Sequence, residues 1–259
     1  MVEENTVFFV GSGPGDPELI TIKAKRLLEE ADVIIYSGSL LNPKLLQYAK
    51  KDAELHDASR LNREKIYQIL RDSAKNSKIA IRFHDGDPGI FSTIREQIDN
   101  LEKDGIQCKV VPGITAILGA ASAMNLELTL PGNTQTVIIT RAEFRTPVPD
   151  REKISELAKH GATMVFYLSV HLINDIVEEL LNGGVYTKET PAAIVYRATW
   201  EDQKIIKGNL GDIVKKTKES KIIKTALIIV GQVIAPKDYE FSKVYDSGFT
   251  HGYRQSKNR

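Results

Sequence analysis

Two short loops constrain this chain more than any other feature. Gly11-Ser12-Gly13-Pro14-Gly15-Asp16-Pro17 follows the apolar run at 6–10, and His84-Asp85-Gly86-Asp87-Pro88-Gly89-Ile90-Phe91 follows a strand pattern at 78–83. A short, continuous apolar run closed by glycine is how a strand buried on both faces reads. Each loop carries Asp-Pro, which suits the N-cap and first position of a helix. Strand, small-residue turn and helix, repeated in one half of a chain, imply a parallel sheet with right-handed crossovers. Both loops then fall at the carboxyl edge of that sheet, where ligands of such folds lie. The expectation is a binding or catalytic protein rather than a structural one.

The alternation continues along the chain. Ile22, Leu27, Leu28 and Ala31 predict a helix over 21–31, and Ile66, Ile69, Leu70 and Ala74 another over 62–76. Ile94, Ile98 and Leu101 predict a third over 91–103. Strands are expected at 33–36, 53–55 and 107–111, with a short helix at 43–50. Residues 114–124 read as a helix of small side chains able to pack closely. Thr129-Leu130-Pro131-Gly132-Asn133 then reads as a boundary. Beyond it, strands are expected at 136–140, 163–168, 192–196, 203–207 and 225–230, and helices at 150–160, 170–182 and 210–218. Between 196 and 203 there is too little chain for a helix, so a hairpin and a mixed sheet are expected. The predicted fold class is α/β, with two α/β domains. Residues 1–128 form one with a mostly parallel sheet and 129–235 one with a mixed sheet, the active site lying in the cleft between them. A polar, aperiodic tail, 236–259, follows and is expected to be partly disordered.

Charge and cysteine usage narrow the function. The formal net charge is +1, so no overall field draws in a nucleic acid. The apolar runs are strand-length, too short to span a bilayer. Met1-Val2-Glu3-Glu4-Asn5 lacks the basic and apolar regions of a signal peptide. Cys108 is the single cysteine, which excludes an internal disulfide and suits a reducing compartment. A cytoplasmic protein without a nucleic-acid or membrane partner is expected.

The loops themselves suggest chemistry. The first is not a dinucleotide fingerprint, because Asp16 stands where the third glycine would fall and Pro14 removes a backbone donor. In the second, Gly86 lets a ligand approach the backbone, and Asp85 and Asp87 place carboxylates able to accept bonds from ribose hydroxyls or an amino group. Val111-Pro112-Gly113-Ile114-Thr115-Ala116 is a third strand-end turn, in which Thr115 can cap the next helix or meet a ligand. The five histidines are scattered, and no protein-bound metal is expected. There is no G-x-S-x-G, Walker lysine or C-x-x-C. Cys108 reads as core, and Trp200 as a surface or interface residue. Arg141, Arg145 and Arg197 stand at strand ends of the second half; converging arginines suit a polycarboxylate.

Five segments in order carry a resemblance: Gly-Pro-Gly-Asp-Pro (13–17), Gly-Asp-Pro-Gly-Ile-Phe (86–91), Pro-Gly-Ile-Thr-Ala (112–116), Phe-Tyr-Leu-Ser (166–169) and Ala-Ile-Val-Tyr-Arg-Ala-Thr (193–199). Together they resemble the tetrapyrrole (corrin/porphyrin) methylases. The family implies two α/β domains, a homodimer, and methyl transfer from S-adenosylmethionine, released as S-adenosylhomocysteine. Tyr36 to Pro43, Thr136 to Arg141 and Arg145 to Pro149 are further similar to the branch that methylates carbon 11 of precorrin-4, or its cobalt complex, in cobalamin biosynthesis. The chain departs at His84-Asp85, where related enzymes often have Thr-Gly or Gly-Gly. The resemblance implies cofactor contacts at Pro14, Asp85, Gly86, Asp87, Ile90, Thr115, Ala116, Leu168 and Ala198. It leaves Asp87, or a substrate carboxylate, as the candidate catalytic base. Arg141 and Arg145 are the candidate ligands of the substrate's carboxylates. Three other readings stay open: methylation at another corrin position, a diphthine synthase-like acceptor, and an idle cofactor- or tetrapyrrole-binding sensor.

Overall fold

The computed structural model describes residues 5–256. They form two units. One runs to Ala123 and takes in Arg197–Lys204; the other holds Met124–Tyr196 and the chain from Ile205 onward.

The first unit is built on β1 (Thr6–Gly11), β2 (Val33–Tyr36), β3 (Glu54–Asp57), β4 (Ala80–His84) and β5 (Gln107–Val111). Their order is β3-β2-β4-β1-β5, and every pairing is parallel. The helices are α1 (Ile22–Glu30), α2 (Arg63–Lys75), α3 (Ile94–Lys103) and α4 (Ala116–Ala123). Successive strand side chains point to opposite faces, so the apolar runs fill two cores. Phe8, Val10, Ile34, Ile81 and Phe83 pack with Ala24, Leu27 and Leu28 of α1. Val7, Phe9, Ile35 and Ala80 pack with Leu70 and Ala74 of α2 and Leu101 of α3. Each such side chain contributes about 1.5–3 kcal/mol on full burial. Thus α1, which follows β1, and α3, which follows β4, lie on opposite faces although β1 and β4 are neighbours. The winding of the sheet reverses at that point, the place outside the carboxyl ends of parallel strands where ligands lie.

The second unit contains β6 (Val137–Thr140), β7 (Thr163–Phe166), β8 (Pro191–Tyr196), β9 (Lys204–Asn209) and β10 (Ala226–Val230), in the order β6-β7-β10-β8-β9. β6 and β7 are parallel, and β10 is antiparallel to β7 and β8, so the sheet is mixed, as expected. Its helices are α5 (Ile154–Ala158), α6 (Ile173–Asn182) and α7 (Ile213–Ser220). Met164, Phe166, Ile194, Ile228 and Val230 of the sheet pack with Ile176, Leu180 and Ile213.

Three elements differ from the sequence reading. The helix expected from Phe91 begins at Ile94, because Phe91 (φ 53°) and Thr93 (φ 52°) are left-handed. The helix expected over 150–160 is split by the extended backbone of Lys153 (ψ 145°) into a 3-10 turn and α5. Most consequentially, Arg197–Lys204, read as part of the second domain, packs with the first unit. Strand periodicity on either side of a short connection does not say against what the connection packs. From Pro236 the chain is irregular, but it closes on itself where the Arg254 guanidinium donates to the carbonyls of Val244 (2.8 Å) and Asp246 (2.5 Å). Among the described residues no helix is long and apolar enough to cross a membrane.

The carboxyl ends of β1, β4 and β5 meet backbone to backbone. A Cβ on Gly113 would lie 2.2 Å from the carbonyl oxygen of Gly86 and 2.9 Å from the carbonyl carbon of Gly11. Moving Gly86 would break its backbone exchange with Gly13, and moving Gly11 would disturb the end of β1. Gly113→Ala is expected to lower unfolding stability by about 3 kcal/mol, the upper part of the usual overpacking range. Gly105→Ala, where a Cβ meets nothing within 4 Å, carries only the left-handed penalty of its φ of +73°, about 1 kcal/mol. Denaturant titration of the two variants checks the contrast.

Candidate active site

The three loops predicted from sequence converge in the first unit. Gly13 and Gly86 exchange backbone hydrogen bonds, at 3.1 and 3.0 Å, and Ser12 N–H donates to the carbonyl of His84 at 2.8 Å. The loops after β1 and β4 are therefore joined beyond the end of the sheet. The carboxylate of Asp87 joins the third: one oxygen accepts from Gly89 N–H (2.7 Å), the other from Gly113 N–H (2.8 Å). Hydrogen bonds to a charged acceptor contribute about 1.5–3 kcal/mol each. Asp87 is thus a clip between two loops.

Gly86 (φ +59°) needs the conformation glycine adopts freely, and a Cβ there would lie 3.5 Å from Ala116 N and 3.6 Å from Thr115 Cα. Its bare backbone and those of Thr115 and Ala116 face each other across about one methyl group. Pro14 packs on α4, where a Cβ on Gly119 would come within 2.5 Å of the proline ring and 3.4 Å of the Thr199 methyl. The close packing expected of the small-residue helix is this contact. Ala198, beside Thr199, is buried. Pro14, Asp85, Gly86, Asp87, Ile90, Thr115, Ala116 and Ala198 all belong to this unit.

Backbone strain gathers at the same place. Arg197 (φ 45°) and Thr199 (φ 69°) are left-handed without being glycine. For β-branched Thr199 this is a true outlier, costing on the order of 1–3 kcal/mol. In return Thr199 Oγ1 accepts from Asp16 N–H at 3.0 Å.

Beneath the loops lie buried polar groups. Arg82 is 8% exposed and donates to the carbonyls of Ile35 (3.1 Å) and Phe83 (3.3 Å). Burial pulls its pKa down to about 10, so it stays charged at neutral pH. His84, 2% exposed, stacks on Phe9 with ring centroids 6.1 Å apart. Burial first, then the Arg82 charge, lowers its pKa to about 3, which keeps the imidazole neutral. Burial raises the pKa of Asp85, opposed by its own backbone N–H and by Arg82.

The second unit presents its own cluster at the ends of β6 and β7. Ser169 Oγ accepts from Ala142 N–H (2.8 Å) and donates to the Tyr167 carbonyl (2.6 Å), tying the two strand ends together. Leu168, between those residues, is left-handed (φ 55°) and exposed. The Arg141 guanidinium donates to the carbonyls of Ala142 (3.2 Å), Thr146 (3.1 Å) and Pro147 (2.8 Å), pinning its loop. Arg145 is exposed, its guanidinium 5.6 Å from the Phe144 ring centroid. Arg197, in the first unit, pairs with Asp202 at 2.6 Å.

A sequence model of the tetrapyrrole (corrin/porphyrin) methylases matches residues 6–214. The chain belongs to this family. Among relatives, the cobalt-precorrin-4 C(11)-methyltransferase of Methanocaldococcus jannaschii is 51% identical, over 99% of this chain and 98% of that protein. Among solved structures, the X-ray structure of a cobalamin biosynthetic enzyme, cobalt precorrin-4 methyltransferase, has a TM-score of 0.87 at 38% identity. It covers 91% of this chain and 100% of its own. Thermus thermophilus uroporphyrin-III C-methyltransferase, solved with S-adenosyl homocysteine, has a TM-score of 0.76 at 29% identity, covering 88% of this chain and 98% of its own.

For this methylase, sequence reasoning named Pro14 on the first converging loop, Asp85, Gly86, Asp87 and Ile90 on the second, and Thr115 and Ala116 on the third, and missed what fixes them. Asn42, buried, donates from Nδ2 to the Gly15 carbonyl at 2.8 Å. It stood inside the quoted Tyr36 to Pro43 segment, and an Asn-Pro before a helix signals an N-cap. Trp200, read as a surface or interface residue, instead lies over Gly15. No local signal reveals that, because its partner is far away in sequence. Among the described residues no group of three or more His, Cys, Asp or Glu is placed to hold a metal ion.

His84 gives the methylase a pH signature. Its folded pKa, about 3, lies below the unfolded value of 6.5. The unfolded chain therefore binds one more proton between those values, and stability is fully present above 6.5 and declines as pH falls towards 3. Between pH 6 and 5 the slope from this group approaches about 1.4 kcal/mol per pH unit. Urea unfolding across that range should show this slope, and His84→Gln should flatten it.

Proposed function

We propose that this chain transfers a methyl group from S-adenosylmethionine to carbon 11 of precorrin-4, with the cobalt complex the favoured acceptor, in cobalamin biosynthesis. The observation that carries the reading is 51% identity, along nearly the whole of both chains, to a cobalt-precorrin-4 C(11)-methyltransferase. The cobalt, when present, is part of the substrate.

The residues present fit the cofactor. Gly86, facing the backbones of Thr115 and Ala116, leaves the cradle that a side chain would fill. Ile90 and Ala198 offer apolar contact for the adenosine, and the backbone carbonyls of Pro14, Asp85 and Gly86 can each accept a further bond from the ammonium of the methionine end. S-adenosylmethionine, when bound, would supply an electrophilic methyl, the electron pair of its S–C bond staying on sulfur and the positive charge passing to the enamine nitrogen of the acceptor, which sheds it as a proton. The protein's part is to hold donor and acceptor in line at roughly 3–3.5 Å and to exclude water. Asp87 serves as a positioning residue, since both its oxygens already hold loop backbone. We assign the exposed Arg145 guanidinium to the substrate's peripheral carboxylates, and Arg141 shapes the loop that carries it. A cytoplasmic homodimer is proposed on family grounds, to be checked by sedimentation against the 28.8 kDa of one chain.

With methyl-labelled donor and precorrin-4, or its cobalt complex, under anaerobic conditions, carbon NMR of the product should place one label at carbon 11. A label elsewhere keeps the family and overturns this acceptor position; no transfer at all favours the sensor reading. Gly86→Ala should stay folded, because its Cβ meets ordinary contact distances and it carries only the left-handed penalty of its φ of +59°, about 1 kcal/mol. It should lose at least about tenfold in affinity for S-adenosylhomocysteine by calorimetry. Unchanged affinity would remove the loop from the site.

A further inference from the structure

We propose that Trp200 is a positioning residue for the cofactor loop after β1, and that its indole reports cofactor binding directly. The inference rests on the reading that this loop holds S-adenosylmethionine. The loop is loose by composition: Gly13 (φ +81°) and Gly15 (φ +151°) flank Pro14, and both use conformations that only glycine adopts freely. Three consecutive residues are nevertheless tied from outside. The Pro14 carbonyl accepts from Trp200 Nε1–H at 3.2 Å, the Gly15 carbonyl accepts from Asn42 at 2.8 Å, and Asp16 N–H donates to Thr199 Oγ1 at 3.0 Å. Trp200 does more than its bond. A Cβ on Gly15 would lie 2.0 Å from the indole Cδ1 and 2.2 Å from Nε1, so the ring rests directly on the loop backbone.

The ring is itself held. The Arg197 guanidinium lies 4.7 Å from its centroid, and Asp202 anchors that guanidinium at 2.6 Å. The Trp200 N–H donates to the Arg197 carbonyl at 3.0 Å, and the Gln203 N–H donates to the Trp200 carbonyl at 3.1 Å. The strained residues Arg197 and Thr199 lie within this same short segment. A chain of contacts thus runs Asp202, Arg197, Trp200, Pro14, and it ends on a residue placed among the cofactor contacts. Fixing a loop in its bound shape raises affinity by removing the ordering cost at binding.

The chain has one tryptophan, so its fluorescence belongs to this residue alone. Titrating the full chain with S-adenosylhomocysteine should move the emission along the same isotherm that calorimetry records. Trp200→Phe keeps a ring over Gly15 and removes the N–H donor. It should raise the dissociation constant about tenfold, the worth of one hydrogen bond. Trp200→Leu removes both and should raise it further. In both variants kcat at saturating cofactor and the KM for the tetrapyrrole should stay within about threefold, the loss falling on cofactor KM. A purely structural role would instead lower the thermal midpoint and leave the affinity of the folded fraction alone. Should Trp200→Leu fail to fold, Trp200→Phe decides. Emission that stays fixed while calorimetry shows binding overturns the proposal, as does wild-type affinity in Trp200→Phe. If the wild-type chain binds no cofactor in calorimetry, the underlying functional reading falls and this inference with it.

Discussion

Three strand ends touch with no side chain between them. A Cβ on Gly11 would sit 2.6 Å from Gly113 N and 2.7 Å from the Gly86 carbonyl oxygen, and one on Gly113 would lie 2.2 Å from that same oxygen. Only glycine allows β1, β4 and β5 to end in this way. That contact turns three separate loops into one surface of backbone, and Asp87 then fastens two of them. The rest of the first unit can be read as support for it. Apolar cores on both faces of the sheet fix the strands, with α1 on one face and α3 on the other.

Because the surface is backbone, the groups that tune it come from outside. Trp200, Thr199 and Asn42 each reach in to satisfy or cover one residue of the first loop. Two of the three come from a segment whose sequence neighbours are strands of the other sheet. That segment departs from relaxed geometry to do so, and residues held in such conformations concentrate where function needs a fixed shape. The buried Arg82, His84 and Asp85 make the same point electrostatically. Charge is tolerated under the loops because main-chain carbonyls solvate the guanidinium, while the imidazole beside it stays neutral.

Much of this was legible in the residues. The strands at 33–36 and 107–111 match their predicted bounds, the first as a continuous apolar run ahead of Ser37-Gly38 and the second as the stretch between Gly105 and Pro112. The three loops are legible in the sequence, because Asp-Pro and Pro-Gly at strand ends are turn signals with a mechanism. Helix starts were less legible. Thr21 and Asn62 do cap α1 and α2, but nothing in Phe91 or Thr93 announces a left-handed backbone. The arginines were named by position alone. The structure separates them into a loop pin, an exposed stacker and a partner of Asp202.

The sequence by itself determined the α/β class, the parallel and mixed sheets, the strand-end loops and the family, because these follow from periodicity, turn chemistry and ordered motifs local in the chain. Only the tertiary structure decided that Arg197–Lys204 joins the first unit, that Asp87 spends both oxygens on backbone, and that Trp200 lies on Gly15. Those outcomes depend on partners distant in sequence, including one 186 residues away. They are set by which surfaces come together once the strands are packed, and no local pattern encodes that choice.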